Sequence, residues 1–244
     1  VAVPHPDKVA KGGEDAFFTT RAAVGVADGV GGWALQGVDP SLYSRRLCAG
    51  AKRAALHGIV DPAELMWAGF KRAMGTAGSS TFVVLSLHDG DGDGDGDDGG
   101  GVLRAANLGD SGFLIVRDGD IWARSEPLMA GWNAPLAVGA HENEHSVPPD
   151  VAFVLSPSVR SGDWLVMATD GVWDNLSADD VESHVLDTAQ LVARTQTPLA
   201  AERLCQDGAQ AIVDAAVRAD IKEDDIAVVL ARITDVPAAS DADS

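Results

Sequence analysis

Acidic residues recur in this 244-residue chain where apolar, β-type runs begin or end. Glu14-Asp15 precede AFFTT, Asp28-Gly29 close VGVA, and Asp110 follows the run ending at Asn107. Asp170-Gly171 follow Val166-Met167-Ala168, and Asp224-Asp225 precede the last such run. Any one Asp-Gly pair is also an ordinary turn or helix cap. Five acidic sites, each joined to a strong apolar segment, point instead to one cluster, because strand ends in a layered sheet protein meet at a common rim. Carboxylates brought together there repel one another and hold their protons unless a cation compensates. Oxygen ligands without His or Cys favour magnesium or manganese over zinc. A carboxylate shared by two such ions activates a water and clamps a phosphoryl group. Metal-assisted phosphoester hydrolysis is therefore the reaction class these residues suit.

Periodicity supplies the elements that must position them. Residues 16–20 and 24–27 are short β runs. Asp39-Pro40 opens a helix reaching about Gly58. Asp61-Pro62 opens another, with Glu64 at the capping-box position and Met66, Phe70 and Met74 on one face. Strands are expected over 81–87, 102–107, 112–117 and 120–124, the last two joined by the hairpin dipeptide Asp118-Gly119. Residues 125–150, with four prolines at Pro127, Pro135, Pro148 and Pro149, read as irregular. Strands over 152–155 and 163–168 follow, then a helix pair capped by Ser177 and by Thr197-Pro198, then a closing strand over 226–233. Two strand groups, each followed by a helix pair, predict an α+β fold. Its centre is a β-sandwich of two mostly antiparallel sheets, flanked by pairs of helices, in a single domain without repeat or linker.

The chain carries 18 Lys and Arg against 37 Asp and Glu, a formal charge of −19. That balance disfavours nucleic-acid backbones and anionic lipid surfaces. No apolar run approaches the roughly 18 residues of a membrane-spanning helix. Six of the acids lie in the glycine-aspartate tract at 89–101 and three in the tail at 235–244, and both segments read as solvated and without chemistry. The remaining −10 is what a rim site must explain. Cys48 and Cys205 read as buried free thiols. The chain opens at Val1 with neither an apolar signal core nor an Arg- and Ser-rich leader, so a targeting peptide is expected to be absent from it.

Six stretches, GGEDAFF, GVADGVGGW, GSSTFVVL, ANLGDSGFLIV, VMATDGVWDNL and KEDDIAVVL, run in this order across residues 12–230. Together they resemble the metal-dependent protein phosphatase family of type 2C. The resemblance implies an αββα sandwich and hydrolysis of serine/threonine phosphoproteins by a water bridging two manganese or magnesium ions, without a covalent intermediate. It implies that Asp28 bridges both ions, that the Gly29 carbonyl binds one, and that Glu14 serves the same ion directly or through water, with Asp15 behind it. Asp170 and Asp224 match ligands of the other ion, and Asp225 an outer position. Asp110 and Asp174, with Asp170, match the places of a weaker third ion, although a turn or cap role for Asp110 and Asp174 is equally open.

Two positions depart from the more familiar branch of that family. Its proton-donating histidine after Asp-Gly is Val30 here, and its phosphate-gripping arginine four residues before the glutamate is Ala10. Lys11, with Lys8 nearby, becomes the expected phosphate contact, as a point charge rather than a bidentate fork; a solvated surface charge is the alternative. His5 and His145 read as surface histidines rather than substitute acids. The missing histidine and DGVGGW are typical of a compact branch found in mitochondria and chloroplasts. Within it, VPHPDKVAKGGEDAFF and GVDPSLYSRRL are most similar to plant and algal photosystem II core phosphatases, which act on phosphothreonines of thylakoid core proteins from the stromal side. That similarity implies a monomer in the chloroplast stroma, with the mitochondrial matrix as the alternative. It also implies a phosphoprotein substrate, no nucleic-acid partner, and approach to a membrane only through that substrate.

Rival chemistries fit less well. TFVVLSLHDGDGDG resembles the Asp-x-Asp strand of haloacid dehalogenase-like enzymes, but Asp93 stands where that pattern wants Thr or Val. An EF-hand loop starting at Asp89 or Asp91 needs a bidentate Glu where Gly100 or Val102 stands. A phosphoprotein-binding pseudophosphatase stays open because of the two departures. Residues 125–150 take the place of the family's mobile flap, with Trp132, Pro135 and His141 in it, and Trp132 is expected to staple that loop to the core.

Overall fold

Strands covered on both faces carry apolar side chains without interruption, as the runs FLIV at 113–116, WLVMA at 164–168 and IAVVLA at 226–231 do. The computed structural model describes residues 1–89, 101–132, 134–139 and 145–234. His141, residues 90–100 of the glycine-aspartate tract and the tail from Asp235 lie outside the described residues. The chain begins with β1 (Ala2–Val3), a 3-10 segment (Pro6–Lys11), β2 (Asp15–Thr19) and β3 (Ala23–Asp28). A second 3-10 segment (Gly31–Gln36) leads to α1 (Ser41–Leu56), α2 (Pro62–Ala73) and β4 (Ser79–Ser80). Then come the hairpin β5 (Phe82–Asp89) and β6 (Gly101–Leu108), and the hairpin β7 (Gly112–Arg117) and β8 (Asp120–Arg124). Four short strands follow: β9 (Met129–Gly131), β10 (Ala134–Pro135), β11 (Ala137–Gly139) and β12 (Ser146–Val147). After them run β13 (Phe153–Leu155), β14 (Ser158–Val159), β15 (Trp164–Ala168), α3 (Asp170–Trp173), α4 (Ala178–Val192), α5 (Pro198–Ala219) and β16 (Ile226–Arg232).

One sheet has the order β1-β16-β15-β7-β8, and the other β13-β6-β5-β3-β2 with β14 also on β6. Every ladder within these two sheets is antiparallel. Alternation along each strand builds the layers. Val26, Val83, Leu85 and Leu103 of one sheet meet Phe113, Ile115, Leu165, Met167 and Val229 of the other. Their chain neighbours Ala27, Phe82, Val84 and Ala106 face outward onto Tyr43, Leu47, Leu65 and Met66 of α1 and α2. On the far side, Leu114, Val116, Val166, Val228 and Leu230 receive Val181, Val185, Ile212 and Val213 of α4 and α5. The result is the expected αββα sandwich.

Local signals set the helix boundaries. Asp61 accepts bonds from the N–H groups of Ala63 and Glu64, while the full reciprocal capping box forms at α4 between Ser177 and Asp180. Met74 lies beyond the last turn of α2 and is exposed, so it does not share the buried face of Met66. The segment expected to be irregular is partly ordered: β9 and β10 form a small hairpin, and β11 pairs with β4 and β12. Trp132 sits between β9 and β10 with 97% of its surface exposed, so it staples nothing to the core. Cys48 is buried and Cys205 only half-buried, both as free thiols. No helix among the described residues is long and apolar enough to cross a membrane.

Candidate metal centre

The carboxylates singled out in the sequence meet at one end of the sandwich, where strands of both sheets terminate. Asp15 begins β2 and Asp28 ends β3, directly opposite each other in the ladder. Thr169, at the end of β15, joins the two sheets. Its hydroxyl donates to Asp15 Oδ2 (2.7 Å) and accepts from the Ala227 N–H (2.9 Å). That bond sets the next residue, Asp170, at the mouth facing Asp28. Asp110 arrives on the crossover from β6 to β7, held by Thr81, whose hydroxyl pairs with Ser111 Oγ (2.7 Å) and accepts from the Asp28 N–H (3.2 Å). Asp224 and Asp225 lead into β16. Asp225 is 1% exposed and takes two backbone N–H bonds, from His5 and Glu14, both at 2.7 Å. It therefore fastens the N-terminal segment to β16 rather than facing the cleft.

Two glycines permit the close approaches. A Cβ at Gly29 would lie 2.7 Å from the Pro40 carbonyl oxygen, and one at Gly171 would run into the Asp225 carbonyl oxygen. The cleft so formed has a volume of about 210 Å³, with Glu14, Asp28, Gly29, Asp110, Asp170 and Asp224 in its lining. Asp174 lies beside it, at the C-terminal end of α3.

Two lysines enter this cleft. Lys8 Nζ stands 2.6 Å from Glu14 Oε2 and 3.2 Å from both Asp224 Oδ1 and Asp225 Oδ2. Lys222 Nζ bonds Asp170 Oδ2 (2.5 Å) and Asp174 Oδ2 (2.7 Å). Burial alone would lower both lysine pKa values, but the hydrogen bonds to Glu14 and to Asp170 and Asp174, together with the surrounding negative charge, hold both above the usual lysine range. Lys11 is exposed, and its backbone carbonyl accepts from Arg45; the cation beside Glu14 is Lys8. Lys222 received no role from sequence, although a lone base two residues before Asp224 in KEDD is a signal for one.

The carboxyls still feel one another. Burial, then the charges of Asp15 and Asp170, push Asp28 well above the ordinary carboxylate range. Burial raises Asp15 to about 8, with Asp225 and Asp170 adding to the shift. Burial and Asp170 raise Asp110 to about 6. Among the described residues no three His, Cys, Asp or Glu groups already converge as a preformed ion site. The donor set nevertheless fits hard divalent ions. All its donors are oxygens, and the buried atoms Asp15 Oδ1, Asp110 Oδ1 and Asp170 Oδ1 have no hydrogen-bond partner.

Known proteins share this chain's pattern. The domain family described as Stage II sporulation protein E matches residues 19–234. A probable protein phosphatase 2C of Oryza sativa subsp. japonica, BIPP2C1, is 36% identical over 183 residues, which is 73% of this chain but 30% of that protein. The chain thus spans less than a third of that relative. The protein phosphatase PTC7 homolog fig of Drosophila grimshawi is 31% identical over 233 residues, covering 89% of this chain and 70% of that one. The X-ray structure of the photosystem II phosphatase PBCP superposes with a TM-score of 0.72 at 24% identity, over 96% and 97% of the two chains. The catalytic domain of the serine/threonine phosphatase PstP, solved with two manganese ions, superposes at 0.65 with 17% identity over 96% of each chain. At those identities the structural likeness establishes the fold.

Proposed function

The chain belongs to the type 2C protein phosphatases, and from that premise we propose that it hydrolyses phosphoserine and phosphothreonine esters of proteins in the cleft between Asp28, Asp170 and Asp224. The support lies in the desolvated carboxyls whose inward oxygens, Asp170 Oδ1 foremost, find no protein partner. Glu14, Asp28, the Gly29 carbonyl, Asp170 and Asp224 would hold two Mn²⁺ or Mg²⁺ ions, with Asp15 and Asp225 behind them. Bound there, such ions supply water activation and Lewis-acid polarisation of the phosphoryl oxygens.

The chain's own residues do the rest. Asp15, held by Thr169, keeps Asp28 aimed across the β2–β3 ladder. Asp225 fixes Glu14 by its backbone. Lys8, already beside Glu14 and Asp224, takes the part of the missing arginine as a point charge for the phosphate. Val30 offers no proton, so leaving-group protonation falls to solvent in the cleft. A groove of about 380 Å³ runs on past Asp110 and Asp174 and gives the flanking polypeptide a path.

For the physiological substrate we favour phosphothreonines of photosystem II core proteins in the chloroplast stroma. The opening stretches of sequence support this, as does the likeness to the photosystem II phosphatase. A mitochondrial enzyme with another substrate is the alternative. Phosphate release from phosphothreonine peptides is expected with Mn²⁺ and to vanish with chelator. Asp28→Ala and Asp170→Ala should each lower it at least about a hundredfold. Wild-type turnover in Asp28→Ala would overturn the assignment, and tight phosphopeptide binding without turnover would establish a pseudophosphatase.

A further inference from the structure

We propose that the ammonium of Lys222 is a resident cation occupying the place a third divalent ion would take, so that this chain binds two metal ions and not three. The inference rests on the metal-dependent reading of the cleft. It differs from the expectation that Asp110, Asp170 and Asp174 hold a weak third ion.

The geometry is that of a site already filled. Lys222 Nζ lies 2.5 Å from Asp170 Oδ2, 2.7 Å from Asp174 Oδ2 and 3.9 Å from Asp224 Oδ2. Its partners thus come from the start of α3, the end of α3 and the approach to β16. An ammonium carries three donors and no acceptor, so it can serve several carboxylates at one point, as an ion would. Asp110 lies close enough for the Lys222 charge to act on it.

Lys222 is also held in place. Asn175, buried at the end of α3, accepts from the N–H groups of Ile221 (2.8 Å) and Lys222 (2.9 Å) and donates to the Lys222 carbonyl (2.9 Å). The same Asn175 side chain donates to the Gly171 carbonyl (2.9 Å). One side chain therefore pins the lysine backbone to the turn that bears Asp170 and Asp174. A tethered cation acts at high effective concentration, and a dissolved ion must displace it to bind there. The division of Asp170 points the same way: Oδ2 goes to Lys222 while the buried Oδ1 has no partner and stays available to the two-ion site.

Mn²⁺ stoichiometry by equilibrium dialysis and elemental analysis, carried to millimolar free ion, tests this. Wild type and Lys222→Arg should bind two ions, Lys222→Met three, and Lys222→Met combined with Asp174→Asn two again. Without metal, Lys222→Met should melt below wild type, and Mn²⁺ should raise its midpoint more than it raises that of wild type. Three ions on wild type would overturn the proposal whatever the variants do. Two ions on a folded Lys222→Met would also overturn it and leave the two-ion reading standing. A wild-type chain that binds no Mn²⁺ would instead bring down the two-ion reading itself, and this proposal with it.

Discussion

Lys8 and Asp15 show how individual residues set the behaviour of the cleft. Lys8 reaches three carboxylates from a half-buried position. A charge-assisted hydrogen bond contributes about 1.5–3 kcal/mol. Replacing Lys8 with Met should therefore lower kcat/KM on a phosphothreonine peptide by about 10- to 100-fold, with partial recovery in Lys8→Arg; an unchanged kcat/KM would remove Lys8 from phosphate binding. Asp15 contributes to the pH response of the metal-free chain in the same direction as Asp28, Asp110 and Asp170, whose carboxyls are raised too. Burial and the charges of Asp225 and Asp170 hold its carboxyl at about 8 against an ordinary 3.8. Over that interval the folded chain keeps a proton that the unfolded chain has released, so stability falls as pH rises from about 4 to about 8. Melting followed by circular dichroism in chelator should accordingly give a lower midpoint at pH 8 than at pH 5.

At the scale of elements, the site depends on where strands stop and how the following turn is pinned. Thr169 ties the end of β15 to both β2 and β16, and α3 then packs so tightly on Asp225 that residue 171 has no room for a Cβ. Gly171→Ala should therefore cost both stability and metal binding, seen as a lowered midpoint and weaker Mn²⁺ retention than in a surface control such as Gly131→Ala, where a Cβ meets nothing within 4 Å. The α4 capping box is a purely structural counterpart. Ser177→Ala should destabilise the protein by about 1 kcal/mol while leaving kcat unchanged. These elements also show what sequence can register. The runs 112–117 and 120–124 coincide with β7 and β8, because the unbroken apolar stretch of the first, the alternation of the second and the Asp-Gly turn between them are local signals. The 3-10 segments at Pro6–Lys11 and Gly31–Gln36 and the four-residue α3 left no such trace. They are too short for periodicity, and contacts with distant strands hold them in place.

For the whole molecule, the charge of −19 divides between a rim of carboxylates and acids elsewhere. Asp89 pairs directly with Gly101 at the end of the β5–β6 ladder, so residues 90–100 can be replaced by an Asn-Gly turn without shifting register. Turnover and melting should then stay close to wild type, and loss of activity with the fold intact would place function in the glycine-aspartate tract. The sandwich, and the gathering of acids at one of its rims, can be read from local sequence. Apolar alternation, proline and aspartate caps, and acids at strand ends are properties of neighbouring residues, and backbone geometry turns them into elements facing a common edge. Which cations answer those acids emerges from the folded chain. It replaced Lys11 with Lys8, brought in Lys222, and turned Trp132 outward. A lysine's charge sits at the end of a flexible four-carbon stem, and where it comes to rest depends on partners distant in sequence: Asp224 lies 216 residues from Lys8, and Asp170 lies 52 from Lys222.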